Sequence, residues 1–321
     1  MTTPYSPSSR FSVVNLAQLG RMQVLETVNT EAILANRMAK FKALWAVSDP
    51  PQAAQYDVEN LEFDPIKIQH ETNTFFELML RDRVNQAARS VTLAFAVGSD
   101  LDAIASRYPG GVPRLPSESD DRYRQRVWLS PNPLTAHGMG DSYSFWALTA
   151  LNGALRDATA TTIPGQPNVT ITVMLDGPPV TTVRTGGVLQ VGPFPNPTPS
   201  DDQIGQTFLY VNDQTRRGIT DVVRVNKPKI VNVDYNIKLT LFRTWDFTIV
   251  RETVISALAD LIESQRWLGF SHTHMAIDAA CDQPGVMNVE IVSPADDVVV
   301  ADLHSCVRVN SVTVELAGFA S

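Results

Sequence analysis

Residues 231–241 read VNVDYNIKLTL and alternate without a break. Val231, Val233, Tyr235, Ile237, Leu239 and Leu241 fall on one side, and Asn232, Asp234, Asn236, Lys238 and Thr240 on the other. Side chains of a strand point alternately to its two faces, so this pattern predicts a long strand with one buried and one wet face. A chain carrying such a strand must cover its apolar face. Residues 247–268 supply a helix: Val250, Val254, Leu258, Leu261, Ile262 and Gln265 recur at helical spacing, with Arg251, Glu252, Asp260 and Glu263 outside. Gly269 is placed to end it. Ser271 is placed to cap a second helix running through Cys281, which Pro284-Gly285 ends. Residues 286–292 alternate Met287, Val289 and Ile291 with Asn288 and Glu290, and residues 307–316 turn Val312, Val314 and Leu316 inward. The order β-α-α-β-β predicts a C-terminal domain, 229–321, with two helices on one side of an antiparallel sheet.

Residues 113–228 repeat this grammar more loosely. Ser119 is placed to cap a helix carrying Tyr123 and Val127, with Asp120 and Asp121 in its first turn. Its Arg122, Arg124 and Arg126 read as a solvated, salt-laced side, which outweighs an anion-binding reading. Residues 141–151 form a helix rich in Tyr143, Phe145, Trp146, Leu148 and Leu151. A core helix explains them better than a ligand pocket. Residues 155–162 and 169–175 pair as strands. The stretch 182–205 contains GPFPNPTP and predicts a long loop or polyproline-like excursion, within a Pro-rich loop spanning 178–205. Residues 207–216 read as helix or strand, and 219–225 lead into the opening strand.

The first third is helical. Residues 1–26 form an extended arm, where Phe11-Ser-Val-Val-Asn15 suggests packing on another chain. A helical domain follows at 27–112, with helices at 27–47, stopped by Ser48-Asp-Pro-Pro51, and at 73–96. The second carries Phe75, Met79, Val84, Ala87, Ala88, Val91 and Phe95 as a stripe. Gly98 ends it, Asp100 caps a short helix, and residues 108–116, YPGGVPRLP, form an exposed connector and candidate hinge. The architecture expected is thus α+β and elongated: a helical N-terminal region and two small α+β domains with antiparallel sheets.

The balance of 26 basic against 34 acidic side chains, net charge -8, argues against nucleic-acid binding. No leader and no membrane-length apolar run is read, so a soluble protein made in the cytoplasm, with Cys281 and Cys306 reduced, is expected. His272, His274, Asp278, Cys281, His304 and Cys306 are metal-ligand types, but their spacing is not that of a known zinc site. Asp120-Asp121, Asp201-Asp202 and Asp296-Asp297 are adjacent residues that point different ways, so none is an acid/base couple. Gly110-Gly111 and Gly138-Met-Gly140 lack the context of a phosphate loop. No catalytic, cofactor-binding or metal residue is assigned, and no cofactor. A cell-wall or glycan hydrolase using Asp201, Asp202 or Glu290 is the alternative.

Several strings carry a resemblance: FSVVNLAQL at 11–19, VNQAARSVTLAFAVGSDLD at 84–102, SESDDRYRQRV at 117–127, HGMGDSYSFWALT at 137–149, RDA at 156–158, VTITV at 169–173 and QPGVMNVEIVSP at 283–294. Together, in this order, they resemble the baseplate assembly protein J family of contractile-tailed phages, most closely its P2-like members. That family is similar to the large ring-forming wedge subunit of T4-like phages. The resemblance implies a structural, non-enzymatic wedge protein in the virion tail baseplate. It implies a second copy in another conformation in each wedge, in six or twelve copies per baseplate. It implies contacts with the tail-fibre-linking or trifurcation wedge protein, a sheath-proximal wedge protein, neighbouring wedges and the hub, in a ring that rearranges on contraction. It places Ala87, Leu93 and Ala94 in a core or inter-copy helix. The stretch 178–205 departs from the P2-like pattern.

Overall fold

The structure is a computed structural model that describes residues 29–55, 64–108, 111–116, 118–135, 140–162, 165–300 and 302–319. The expected N-terminal arm lies outside these residues. The described chain is α+β and falls into two compact units, within 12–104 and 105–321.

The first unit holds α1 (Thr30–Ser48), α2 (Pro50–Gln55), α3 (Pro65–Ser90) and most of α4 (Gly98–Ala105). Asn29 caps α1, its side chain accepting from the Glu31 and Ala32 amides. Helix α3 starts eight residues ahead of the expected 73, because Asp64 accepts from the amides of Ile66 (2.7 Å) and Lys67 (3.2 Å). Pro65 then occupies the first turn, where its missing N–H costs nothing. The helix closes at Ser90, so Leu93 and Ala94 lie in the turns beyond it. Gly98, at φ +53, opens α4 instead of ending α3, and Asp100 stands in the first turn of α4.

The second unit is built on two three-stranded sheets. In the first, β1 (Leu155–Thr162), β2 (Asn168–Leu175) and β5 (Val222–Asn226) take the order β1-β2-β5. Helices α5 (Asp120–Leu129), α6 (Asn132–Thr135), α7 (Gly140–Ala150) and α8 (Asp201–Val211) accompany it. In the second, β6 (Lys229–Leu241) lies between β7 (Val286–Ser293) and β8 (Ser305–Phe319). Each sheet has one antiparallel pairing, β1–β2 and β6–β7, and one parallel pairing, β2–β5 and β6–β8. The parallel edges are a detail that strand order alone does not carry.

The alternation of β6 survives from Val233 onward. Val233, Tyr235, Ile237, Leu239 and Leu241 are buried, and Val231 is exposed. Against them pack Val250, Val254, Ile255, Leu258 and Ile262 of α9 (Phe247–Ser264), with Ile277 and Cys281 of α10 (His274–Cys281). Helix α9 ends at Ser264 with Gln265 as its C-cap, four residues before Gly269. Thr273, not Ser271, caps α10; the Ser271 hydroxyl instead accepts from the Val300 amide at 3.0 Å.

The expected 182–205 loop is largely ordered structure. Strands β3 (Thr181–Thr185) and β4 (Val188–Gly192) form a hairpin turned by Gly186 and Gly187. Their φ values, +60 and +83, are those a tight primed turn demands. Ser200 and Gln203 form a reciprocal capping box that starts α8. The prolines are confined to the irregular stretch between these elements.

Candidate interaction surface

Helix α3 is turned inside out. Its buried positions are Thr74, 1% exposed, and Asn85, 5%. Phe75 (58%), Phe76 (56%), Met79 (55%), Leu80 (69%) and Val84 (48%) face outward. At about 100° per residue, Thr74, Glu77, Leu78, Arg81 and Asn85 share one side, while the exposed apolar set covers about half of the circumference opposite. The polar side meets α1. Glu77 accepts from Arg37 Nε at 3.1 Å and from Arg81 Nε at 2.9 Å, and these hydrogen bonds hold its carboxyl below the ordinary range. Phe41 stands edge-on to His70 at 5.2 Å. Partners 37–77 and 41–70 run in opposite senses, so α1 and α3 are antiparallel. Of the stripe predicted from sequence, Phe75, Met79, Val84 and Ala87 lie on the exposed face of α3 and Ala88 is half-buried, while Val91 and Phe95 fall beyond the helix end at Ser90. Leu44 and Val47 add exposed apolar positions on α1.

The arginines of α5 are buried, which overturns their reading as a solvated side. Arg126, 2% exposed, grips Glu118 with Nε and Nη2 at 2.8 and 2.7 Å. Arg122 binds Asp176 at 2.7 Å and donates to the Gly153 and Leu155 carbonyls. Arg124 pairs with Asp121. The same cluster anchors the connector expected to be exposed. Tyr123 Oη donates to the Val112 carbonyl at 2.6 Å, Arg126 Nη2 donates to that of Pro113 at 2.6 Å, and the Leu115 amide donates to Glu118 at 2.9 Å. Ser119 holds the N-cap position without a side-chain bond. Planar guanidinium forks tolerate burial when carboxylates and carbonyls satisfy them, and Asp176 lies too far along the chain for local spacing to reveal it.

Arg156 and Asp157 weld the two sheets. Arg156 donates to the Arg266 carbonyl (2.7 Å), the Glu263 carboxylate (2.8 Å) and the Glu263 carbonyl (2.9 Å), and lies 4.9 Å over the Trp267 ring. Asp157 accepts from the Leu268 amide at 3.0 Å. Nothing in local sequence pattern marks this pair, although the resembling string RDA at 156–158 contains it.

The remaining candidates are structural in their surroundings. His272 is buried against Tyr235, and burial lowers its pKa to about 4. His274 Nε2 meets the Pro294 carbonyl at 2.7 Å, and His304 bridges Thr161 (2.8 Å) and Thr172 (2.7 Å). Burial pushes the Cys281 thiol up to about 12 and that of Cys306 to about 11, with Asp278 and Asp157 adding to it. Both cysteines are free. Among the described residues no three His, Cys, Asp or Glu side chains are grouped to hold a metal. Of the carboxylates considered for hydrolysis, Asp201 pairs with Lys227 at 2.7 Å, Asp202 accepts from Gln206 at 2.7 Å, and Glu290 lies opposite Lys238 on the exposed sheet face. Tyr143 of α7 donates to Asp221 and accepts from the Gly218 amide at 3.0 Å; burial and Asp221 push its pKa up to about 12. With Phe145 and Leu148 buried beside it, α7 is a core helix. No helix among the described residues is long and apolar enough to cross a membrane.

Arg156 and Asp157 thus join the two three-stranded sheets, and α3 turns its apolar face outward. Residues 62–120 match the Baseplate J-like N-terminal domain. The chain is also 30% identical over 300 residues to Baseplate protein J of Escherichia phage P2, across 89% of this chain and 92% of that protein. The chain belongs to the baseplate protein J family, and this supports a structural role in a phage baseplate.

Proposed function

We propose that this chain is a wedge subunit of a contractile-tail baseplate, joined to a second copy of itself through α3. The outward apolar face of α3 carries the reading. A helix of this length, about 39 Å at 1.5 Å per residue, that buries threonine and asparagine and exposes two phenylalanines, a methionine and a leucine is unusual for a solitary monomer. A helix from another copy, lying along the stripe, gives each apolar side chain a partner. The two copies adopt different conformations, in six or twelve copies per baseplate. They contact the tail-fibre-linking and sheath-proximal wedge proteins, neighbouring wedges and the hub, in a ring that rearranges at contraction. The protein is made in the host cytoplasm and resides in the virion tail. The candidate hinge narrows to residues ahead of Val112, since 112–116 are held to α5.

Light scattering on the full chain tests the interface. Wild type is expected to associate with rising concentration, and Phe76→Ser with Leu80→Ser to remain monomeric at unchanged Tm. Association of that variant equal to wild type rejects the interface. Imaging of whole baseplates then reads copy number and ring position.

A further inference from the structure

Residues 176–197 leave the first sheet and return to the same point. The Leu175 amide donates to the Pro197 carbonyl at 2.9 Å, and Gly177 lies so close to Pro195 that a Cβ there would come within 2.5 Å of it. Between these ends the β3–β4 hairpin grows out of the first sheet and lies on the second. Val180 and Val191 are members of the core formed by β6, α9 and β8, and Leu189 and Phe194 pack against it. Polar contacts follow α9 along its length. At one end the Val180 amide donates to Glu263 at 2.8 Å, and Arg266 donates to the Pro178 carbonyl at 3.3 Å. At the other, Arg251 donates through Nη1 to the Leu189 carbonyl at 3.0 Å and through Nε to the Val314 carbonyl of β8 at 3.3 Å. The exposed tip adds only the Arg184–Glu252 pair at 2.8 Å.

We propose that this hairpin is a strap that, together with the Arg156 and Asp157 contacts, makes the two sheets one cooperative body, and that Arg251 fastens it. A two-stranded hairpin is marginal in water alone, so its order comes from α9 and the second core. In return it supplies two buried valines that the second sheet does not encode. Arg251 satisfies a carbonyl of β4 and one of β8 with a single guanidinium, filling the place where two strand edges come together without pairing. The halves that read in sequence as separate domains then move together, and no hinge operates between them.

Hydrogen exchange and calorimetry on the full chain test this. In wild type the slowest amides of β2 and of β6 are expected to exchange with equal protection, because they open in one event. Val191→Ser and Arg251→Met are each expected to lower Tm by about 5 °C, raise exchange in α9 and β8 at least about tenfold above that in β1, and expose Gly186-Gly187 to protease. Arg184→Ala, which removes the Glu252 pair and the 3.3 Å bond to the Gly187 carbonyl, both at the tip, is expected to change none of these. Wild-type protection that differs tenfold between β2 and β6 overturns the proposal without any variant. So does a Val191→Ser or Arg251→Met protein with wild-type exchange and Tm.

Discussion

His272 is 1% exposed, with Nδ1 facing the Tyr235 hydroxyl. Burial lowers its pKa from 6.5 to about 4. Between those values the unfolded chain binds a proton that the folded chain refuses, so stability rises with pH there. The contribution is complete above about pH 6.5 and lost as pH falls toward 4; the full shift corresponds to about 3 kcal/mol. His304, also lowered by burial, acts in the same direction. Denaturant titrations are expected to show this slope, and His272→Gln to flatten it. Arg126 offers a second case. Arg126→Leu strands the Glu118 carboxylate, 3% exposed, and is expected to cost about 3–5 kcal/mol in chemical denaturation. Gly285, at φ +100, has the Trp245 ring 2.7 Å from where a Cβ would stand. Backbone strain and overlap with the ring both oppose Gly285→Ala, which is expected to cost about 2 kcal/mol or more. Of these residues, sequence flagged Gly285 as a helix stop. The burial of Arg126 ran against its residue type, and the charge state of His272 depended on neighbours from distant segments.

Helix starts show what local chemistry does and does not encode. Both Ser119 and Ser200 precede acidic first turns. Only Ser200 engages a backbone amide, at 3.2 Å from Gln203, whose side chain accepts from the Ser200 amide at 2.9 Å. Ser200→Ala is therefore expected to cost about 1 kcal/mol and Ser119→Ala less than about 0.5 kcal/mol, read as paired shifts in urea midpoint. The capping box lay in plain view within a proline-rich stretch, and composition masked it. For α3 the opposite holds: periodicity gave the apolar stripe, while its direction stayed open. A stripe records that one side of a helix is apolar. Whether the cover comes from the same chain or another is not a property of the helix.

At the scale of the molecule, association through α3 is expected to be driven by apolar burial and not by charge. Sulfate should strengthen it, and 0.5 M sodium chloride, a concentration at which exposed charges are screened within about 5 Å, should leave it intact. Sedimentation across a salt series reads both; loss of association in sodium chloride alone points to a charged interface elsewhere. The sequence by itself determined the α+β class, the long strand β6 with its buried face, the helices α9 and α10 that cover it, and the resemblance to baseplate proteins. These follow from residue periodicity and from ordered strings, which are local. Tertiary structure alone decided the parallel pairings of β5 and β8, the burial of the α5 arginines, the outward turn of α3 and the planting of the β3–β4 hairpin in the second core. Each depends on which distant carboxylate, carbonyl or apolar face arrives opposite, and spacing along a chain does not carry that.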